Sequence, residues 1–442
     1  MARRIHRREF LGTMGAAGAG LLVPAASATG YPQGDKLRIA AVGAGGRAEG
    51  DIDGVKGENI VALCDVDQQR LDKKGGQFSG AKKYPDFRKM LEECAKEIDA
   101  VVIGSPDHIH APAAAMAMKL GKHVYVEKPM THSIFEARTL RELAAKHKVA
   151  TQMGNQGTAS GGLRRGIEVI QAGAIGTIKE IHLWTNRPVW PQAPNIMERP
   201  AAKKPPAHLN WDLWLGPAPY RDYHDSLHPF NWRGWIDFGT GALGDMACHT
   251  TNLPFFAAQL TAPTSIEAEA GDVNKETWPS WAKIKYEFPA RGNLPPVTVY
   301  WYEGKKNRRE RVLPPEEFLH GEKWSDSGAL MVGTKGVLFS GGDYGDGWKL
   351  LPKENFEGHK GPPETLPRSP GHHAEWIRAC KGGPKAMSNF DHAGPFVEFV
   401  LLGNVAIRLG RKILWDTKLC KVTNAPEAAQ IINRPYRKGW TL

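Results

Sequence analysis

Three groups of residues have types and spacings that can do chemistry. Gly43-Ala44-Gly45-Gly46-Arg47-Ala48 is a G-x-G-x-x-A turn. Its first glycine permits a tight turn, its second lets backbone approach a pyrophosphate, and its small last residue lets a helix pack on a strand. A helix starting there points free N–H groups at phosphates. Asp65 follows about twenty residues later, where a carboxylate accepts hydrogen bonds from ribose hydroxyls. A carboxylate at that place repels a 2′-phosphate, which favours NAD over NADP; Asp67 is a weaker candidate for the same role. Asp245 and His249 lie four residues apart, on one face of any helix that carries them. Placed so, they can act on one ligand together or share a cation site with His108 or His110. His372, His373 and Glu375 form the third group and a rival metal set. Neither set has H-E-x-x-H or comparable spacing, so no metal is expected.

These groups need a scaffold. Leu37–Val42 reads as a buried strand running into the glycine turn, and Ile60–Cys64 as a second strand ending at Asp65. A helix over Phe87–Lys96 leads to a strand, Asp99–Gly104, ending at Ser105-Pro106-Asp107-His108-Ile109-His110. An alanine-rich helix, Ala111–Leu120, precedes the strand His123–Val126, which ends at Glu127-Lys128-Pro129. A helix over Ile134–Lys146 precedes the strand Val149–Met153, which ends at Gly154-Asn155-Gln156. Strands alternating with helices make a parallel sheet with right-handed crossovers. The expectation is an α/β chain opening with a Rossmann dinucleotide domain over residues 36–155. Ligands bind at the carboxyl ends of strands in such sheets. That makes Gly43, Gly45, Gly46, Arg47, Asp65, Ser105, Pro106, His110, Glu127, Lys128 and Asn155 the expected cofactor contacts.

Residues 156–442 form the second expected domain, of α+β type. A helix over Gly161–Ala172 precedes a strand near Ile175–Trp184. The long segment Asn186–Phe238 is rich in Pro and Trp. Its flat rings either receive the C–H faces of a sugar or clamp the segment to the protein body, and both readings stay open. A helix opens near Gly239–Gly244 and carries Asp245 and His249. Trp281–Phe288, Val297–Trp301 and Gly336–Phe339 read as strands of an open, mostly antiparallel sheet. Pro395–Leu409 reads as a helix returning to the nucleotide domain, and Lys353–Pro370 as loop.

The glycine turn, the acidic second-strand end, the S-P-x-x-x-H run at Ser105–His110, the strand-ending Glu127-Lys128-Pro129 and the D-x-x-x-H at Asp245–His249 resemble the Gfo/Idh/MocA oxidoreductases. The resemblance is specific over about residues 36–255 and looser beyond. It implies NAD as cofactor, a small carbohydrate as substrate and a homo-oligomeric assembly. It places Lys128 beside the nicotinamide and the substrate, His249 at the substrate hydroxyl and Asp245 facing the substrate. Lys128, Asp245 and His249 are therefore the catalytic candidates, and Lys128, Asn155, Arg233, Trp235, Asp245 and His249 the substrate-binding ones. The base is Lys128 or His249. A cationic nicotinamide and partial burial would lower the pKa of Lys128 toward useful values.

Bulk properties agree with a two-domain enzyme. The chain has 442 residues, 41% hydrophobic, with 14 tryptophans, which excludes a disordered chain and a single core. Its net charge of +11 includes +3 from Arg3, Arg4, Arg7, Arg8 and Glu9. The remainder lies in short pairs, a solvated basic surface rather than a nucleic-acid site. Five widely spaced cysteines form no CxxC and suggest neither a disulfide framework nor a zinc knuckle. Arg7-Arg8-Glu9-Phe10-Leu11, a weakly apolar stretch from Gly12 to Val23 and Ala26-Ser27-Ala28 read as a twin-arginine (Tat) export signal over residues 1–28. The mature chain is expected in the periplasm or otherwise outside the cytosol, without a membrane span. Free NAD is scarce there, so the cofactor is expected to be tightly held and restored in every cycle. Sugar-to-sugar oxidoreduction, epimerisation and glycoside cleavage through a transient ketone all satisfy that demand. An NAD-dependent oxidoreductase acting on CH–OH of a carbohydrate is the first expectation, and an NAD-dependent glycosidase, as some relatives are, the alternative. A carbohydrate-binding protein with an idle nucleotide fold is the reading from another class; the joint presence of Lys128, Asp245 and His249 speaks against it.

Overall fold

The structure, a computed structural model, describes residues 35–442; the twin-arginine run and the Ala26-Ser27-Ala28 site lie outside the described residues. Strands β1 (Arg38–Val42), β2 (Asn59–Cys64), β3 (Lys82–Tyr84), β4 (Ala100–Ile103), β5 (His123–Glu127) and β6 (Thr151–Gly154) form a parallel sheet in the order β3-β2-β1-β4-β5-β6. This is the dinucleotide-binding order, with its crevice where the connections reverse beside β1. The central strands are apolar on both faces because helices cover both: β4 is buried at every residue. The edge strand β3 escapes the sequence reading because its Lys-Lys-Tyr carries no apolar pattern; both lysines are exposed.

One helix starts earlier than expected. It runs Asp107–Lys119, with Pro106 as its N-cap. Ser105–His110 is therefore a strand end running into the first helical turn, and Asp107 meets the positive helix end. The late helix spans Phe390–Leu409, with Asn389 capping it and Pro395 inside it. It packs on the helix Ile134–His147 and on Gly241–Thr250, joining the two domains.

The second sheet contains β7 (Ile178–Thr185), β8 (Ser265–Ala270), β9 (Trp281–Phe288), β10 (Val297–Lys306), β11 (Glu310–Arg311), β12 (Gly328–Gly333), β13 (Val337–Ser340), β14 (Trp348–Leu351), β15 (Ile413–Asp416) and β16 (Lys421–Val422). Its order is β14-β13-β12-β7-β10-β9-β8-β15-β16, with β11 on β10. β7 and β10 run parallel, and the other pairings among the described strands are antiparallel. Alternation decides the faces: along β9, Ala282, Ile284, Tyr286 and Phe288 point into the core.

The aromatic segment folds on itself. Trp211 stacks on Trp214 with centroids 4.7 Å apart, Trp214 meets Phe238 at 4.7 Å, and Tyr223 stands edge-on to Trp211 at 5.1 Å. With Trp232 and Trp235 these rings make a separate small core, and burying each contributes about 1.5–3 kcal/mol. Backbone bonds from Gln68 N to His208 O (2.8 Å) and from Asn210 N to Val66 O (2.9 Å) fasten the segment to the end of β2. Clamping accounts for most of these rings.

Candidate active site

A cleft begins at the glycine turn and runs along the carboxyl ends of β1, β2, β4 and β5 to the helix Gly241–Thr250. Gly43 has φ +95°, and a Cβ there would sit 3.1 Å from both the Ala48 side chain and the Gly104 backbone. Only glycine fits that crossing of turn, helix and strand. Gly46, at φ +63°, is the N-cap of the helix Arg47–Val55, so the first N–H groups of that helix open toward the cleft. The Asp65 carboxylate accepts Ala44 N–H at 2.8 Å and Asp67 N–H at 2.9 Å. It thus braces the turn while lining the cleft. Asp67 is otherwise engaged: it caps the helix Gln68–Gly75 and faces His208 Nδ1 at 3.0 Å. The turn, the helix end and the lining carboxylate fit an adenine dinucleotide.

At the other end, Lys128 Nζ donates to the Asp245 backbone oxygen at 2.7 Å and to Asp245 Oδ1 at 2.9 Å. A strand end of the first domain therefore meets a helix of the second through one ion pair. Burial opposes charge on both groups, but their attraction wins. Asp245, also 3.4 Å from Arg233 Nε, is held down at about 2, and the Lys128 pKa is raised. This corrects the part of the expected Lys128 lowering that was ascribed to burial: Asp245, 117 residues away, outweighs desolvation. His249 moves oppositely. It is 7% exposed, and burial with the nearby Lys128 charge lowers it to about 3. Its Nδ1 has no hydrogen-bond partner among the described residues, and its ring stands edge-on to Tyr344 at 5.0 Å.

Below the cleft, Glu127 accepts from Arg47 Nε at 3.0 Å and Gln156 Nε2 at 2.7 Å, and Arg47 also pairs with buried Asp51 at 2.8 Å. Burial raises Glu127 to about 7 and Asp51 to about 6 despite the arginine. Asp107 accepts Thr240 Oγ1 at 2.7 Å and Thr240 N at 3.1 Å, tying the two domains again; burial raises it to about 7.

The structure brings Gly43, Gly45, Gly46, Arg47, Asp65, Ser105, Pro106, Glu127, Lys128, Arg233 and Asp245 onto one cleft wall. Four candidates do not line it: His249, buried on the helix that carries Asp245, and Trp235, Asn155 and His110. Trp235 is fully buried with Nε1 donating to Ser226 O at 2.9 Å. It belongs to the small aromatic core, and the ring facing the cleft is its neighbour Trp232. Asn155 is buried with Oδ1 accepting from Ser388 Oγ. The His110 ring bridges the carbonyls of Ser105 (2.7 Å) and Pro129 (2.8 Å), holding two strand ends in register instead of facing a ligand. The other histidines of the rival metal sets are also engaged: His108 Nε2 with Trp214 O, His372 Nε2 with Met153 O and His373 Nε2 with Asp51. The sequence reading missed Arg70, Phe87, Asp107, Trp214, Phe230, Trp232 and Trp440, all lining the cleft, and Tyr344 beside His249. The Arg233 guanidinium lies 4.5 Å from the Phe230 ring and 4.4 Å from the Trp232 ring, a cation–π signal already present in Phe230-Asn231-Trp232-Arg233.

The model of the oxidoreductase family's NAD-binding Rossmann fold matches residues 37–155, and that of the family's C-terminal alpha/beta domain matches residues 178–294. A glycosyl hydrolase family 109 protein of Shewanella pealeana is 30% identical over 178 residues, 32% of this chain and 38% of its own length. Inositol 2-dehydrogenase 3 of Saccharopolyspora erythraea is 30% identical over 139 residues, 31% of this chain and 40% of its own length. The chain thus matches about two fifths of the length of these relatives. The WlbA dehydrogenase of Bordetella pertussis, solved with NADH and UDP-GlcNAcA, superposes with a TM-score of 0.59 at 15% identity, covering 86% of this chain and 99% of its own. An inositol dehydrogenase homolog of Azotobacter vinelandii, solved with NADH and myo-inositol, gives 0.56 at 16% identity, covering 86% and 98%. At such identities the superpositions speak for the fold. The two family models span the glycine turn, Asp65, Lys128, Asp245 and His249, and with that fold they decide the assignment: the chain belongs to the Gfo/Idh/MocA oxidoreductase family and opens with an NAD-binding Rossmann domain.

Proposed function

We propose that this protein oxidises a hydroxyl-bearing carbon of a sugar or sugar derivative, or reduces the matching carbonyl, using an NAD that stays bound through the cycle and passes its hydride to a second sugar or back to the first. The observation that carries the reading is the Lys128–Asp245 pair, set at the joint of the two domains and opening into the cleft of the glycine turn. When bound, NAD supplies the hydride acceptor. The residues supply the rest. Lys128, kept cationic by Asp245, polarises the substrate oxygen and stabilises its developing negative charge. His249, kept neutral by burial, takes the hydroxyl proton at Nδ1. Arg233, stacked between Phe230 and Trp232, offers N–H groups to sugar hydroxyls beside flat apolar rings. The sugar nucleotide and the inositol held by the two structural neighbours support a polyhydroxylated substrate.

A second reading, an NAD-dependent glycosidase passing through a transient ketone, is favoured by the likeness to glycosyl hydrolase family 109 proteins. Both fit a captive cofactor, which an exported enzyme needs; export through residues 1–28 and assembly as a homo-oligomer are part of this proposal. The test starts from purified mature protein with no cofactor added. Its denatured supernatant is assayed for NAD and NADP, and the native protein is offered free sugars and aryl glycosides. One equivalent of ketone or lactone per bound NAD, with NADH left on the protein, or continued formation once a second keto-sugar is supplied to take the hydride, supports the oxidoreductase; aryl release without net NADH supports the glycosidase. Turnover by Lys128→Met equal to that of the parent would sink both.

A further inference from the structure

We propose that residues 433–442 form a fixed wall of the dinucleotide cleft, with Trp440 flanking the adenine and controlling cofactor release. The inference rests on the NAD-binding reading and names residues far outside the nucleotide domain that act on the same ligand. Beyond Asp65 the cleft is walled by Cys64, Pro85, Asp86, Phe87 and Trp440, a slot that is apolar but for the Asp86 carboxylate, which Arg88 engages, and that lies where the fold delivers the base end of a dinucleotide. All but Trp440 come from the nucleotide domain. Trp440 comes from the opposite end of the chain and is held there: its ring lies 5.9 Å from Phe87, and the Arg88 guanidinium covers it at 4.1 Å. Arg88 Nη1 also donates to Gly439 O at 3.3 Å. Gly439, at φ +89°, makes the turn that delivers the ring.

The segment is fastened both to the nucleotide domain and to the aromatic segment. Tyr436 donates to Glu136 at 2.6 Å on the capped helix Ile134–His147. Arg437 donates from Nε to Gly216 O at 3.1 Å and from Nη2 to Asp212 O at 2.8 Å, while its own N–H reaches Pro217 O at 2.9 Å. Lys119 Nζ donates to Leu442 O at 2.7 Å. The aromatic segment is pinned in turn to the end of β2. Two remote segments, locked to each other through Arg437, therefore border the base end of the cleft. A purine stacks on a ring already fixed in its plane, at little ordering cost.

The experiment loads the full chain with NADH, mixes it with excess NAD and follows loss of bound-NADH fluorescence in a stopped flow. Trp440→Ala is expected to release NADH at least about tenfold faster, as loss of one base-stacking partner implies. Arg437→Ala, which frees the segment without touching the slot, is expected to speed release in the same direction. Trp440→Phe, which keeps a ring, is expected to stay near the parent rate. Melting of the NAD-free proteins shows that Trp440→Ala remains folded. Release rates for Trp440→Ala equal to the parent overturn the proposal. The readout counts bound cofactor, so a parent protein inactive on every sugar defeats the functional reading and leaves this result standing.

Discussion

The floor and the roof of the cleft are built on different principles. The floor is backbone: strand ends of a parallel sheet, a glycine turn at φ +95° and +63°, and the first turn of a helix. Its groups are placed by the sheet itself, and a ligand meets N–H groups and short acids. The roof is side chain: Trp214, Phe230, Trp232, Arg233 and Trp440, carried by segments with little regular structure and placed by ring packing and arginine bonds to carbonyls. A floor made of backbone is generic and rigid. A roof made of side chains can be retailored without disturbing the sheet, so the proposed function puts selectivity and retention there and the reaction at the joint.

The comparison can be broken, most severely at that joint. Lys128→Met is expected to lower kcat on the true substrate by on the order of 10³ while leaving NAD content and circular dichroism unchanged; a loss of fold would mean the joint is structural. Trp235→Ala attacks the roof from behind. It empties a fully buried ring site and is expected to cost about 3–5 kcal/mol, read in denaturant unfolding, with far less effect on the chemical step at saturating substrate. Tyr344→Ala removes the ring edge-on to His249. It is expected to lower kcat by roughly tenfold, as His249 loses the edge-on ring that holds it, with stability within about 0.5 kcal/mol because Tyr344 is 44% exposed. A further test addresses the floor's buried acids. Asp107 titrates at about 7 in the folded protein against about 3.9 in the unfolded chain. Between those values the folded state binds more protons, so this group's contribution is full below about pH 4 and lost as pH rises through 7. Asp107→Asn keeps the Thr240 contacts and removes the slope. Its melting temperature is expected to fall less than the parent's between pH 5 and 8, by about 2–4 °C for each kcal/mol relieved.

The floor was legible because its signals are local. A turn needing positive φ selects Gly43 and Gly46, and a strand end followed by a helix exposes Asp65 and Lys128. The pairing of Asp245 with His249 was legible for the same reason, four residues on one helical face. The direction of the Lys128 shift was not, because the deciding charge is 117 residues away and sequence carries burial without partners. Trp235 and Trp232 share a composition and differ only in which side of a short turn each faces. Asn155 and His110 sit at strand ends as expected, yet point inward to Ser388 and to two carbonyls. Trp440 gave no signal at all, since nothing in its own neighbourhood records the slot it reaches. The edge strand β3 lacked an apolar pattern, and the early start of the helix at Asp107 lay hidden behind a proline that reads equally well as a turn.

An ammonium has three N–H groups, and Lys128 directs two of them at Asp245. In the proposed function one is left for a substrate. A polyol brings several equivalent oxygens, but such a site receives them singly. Regioselectivity on a sugar then becomes a matter of proton count: changing the carbon that reacts requires turning the sugar, because the lysine has no second N–H with which to hold a neighbouring hydroxyl at the same time.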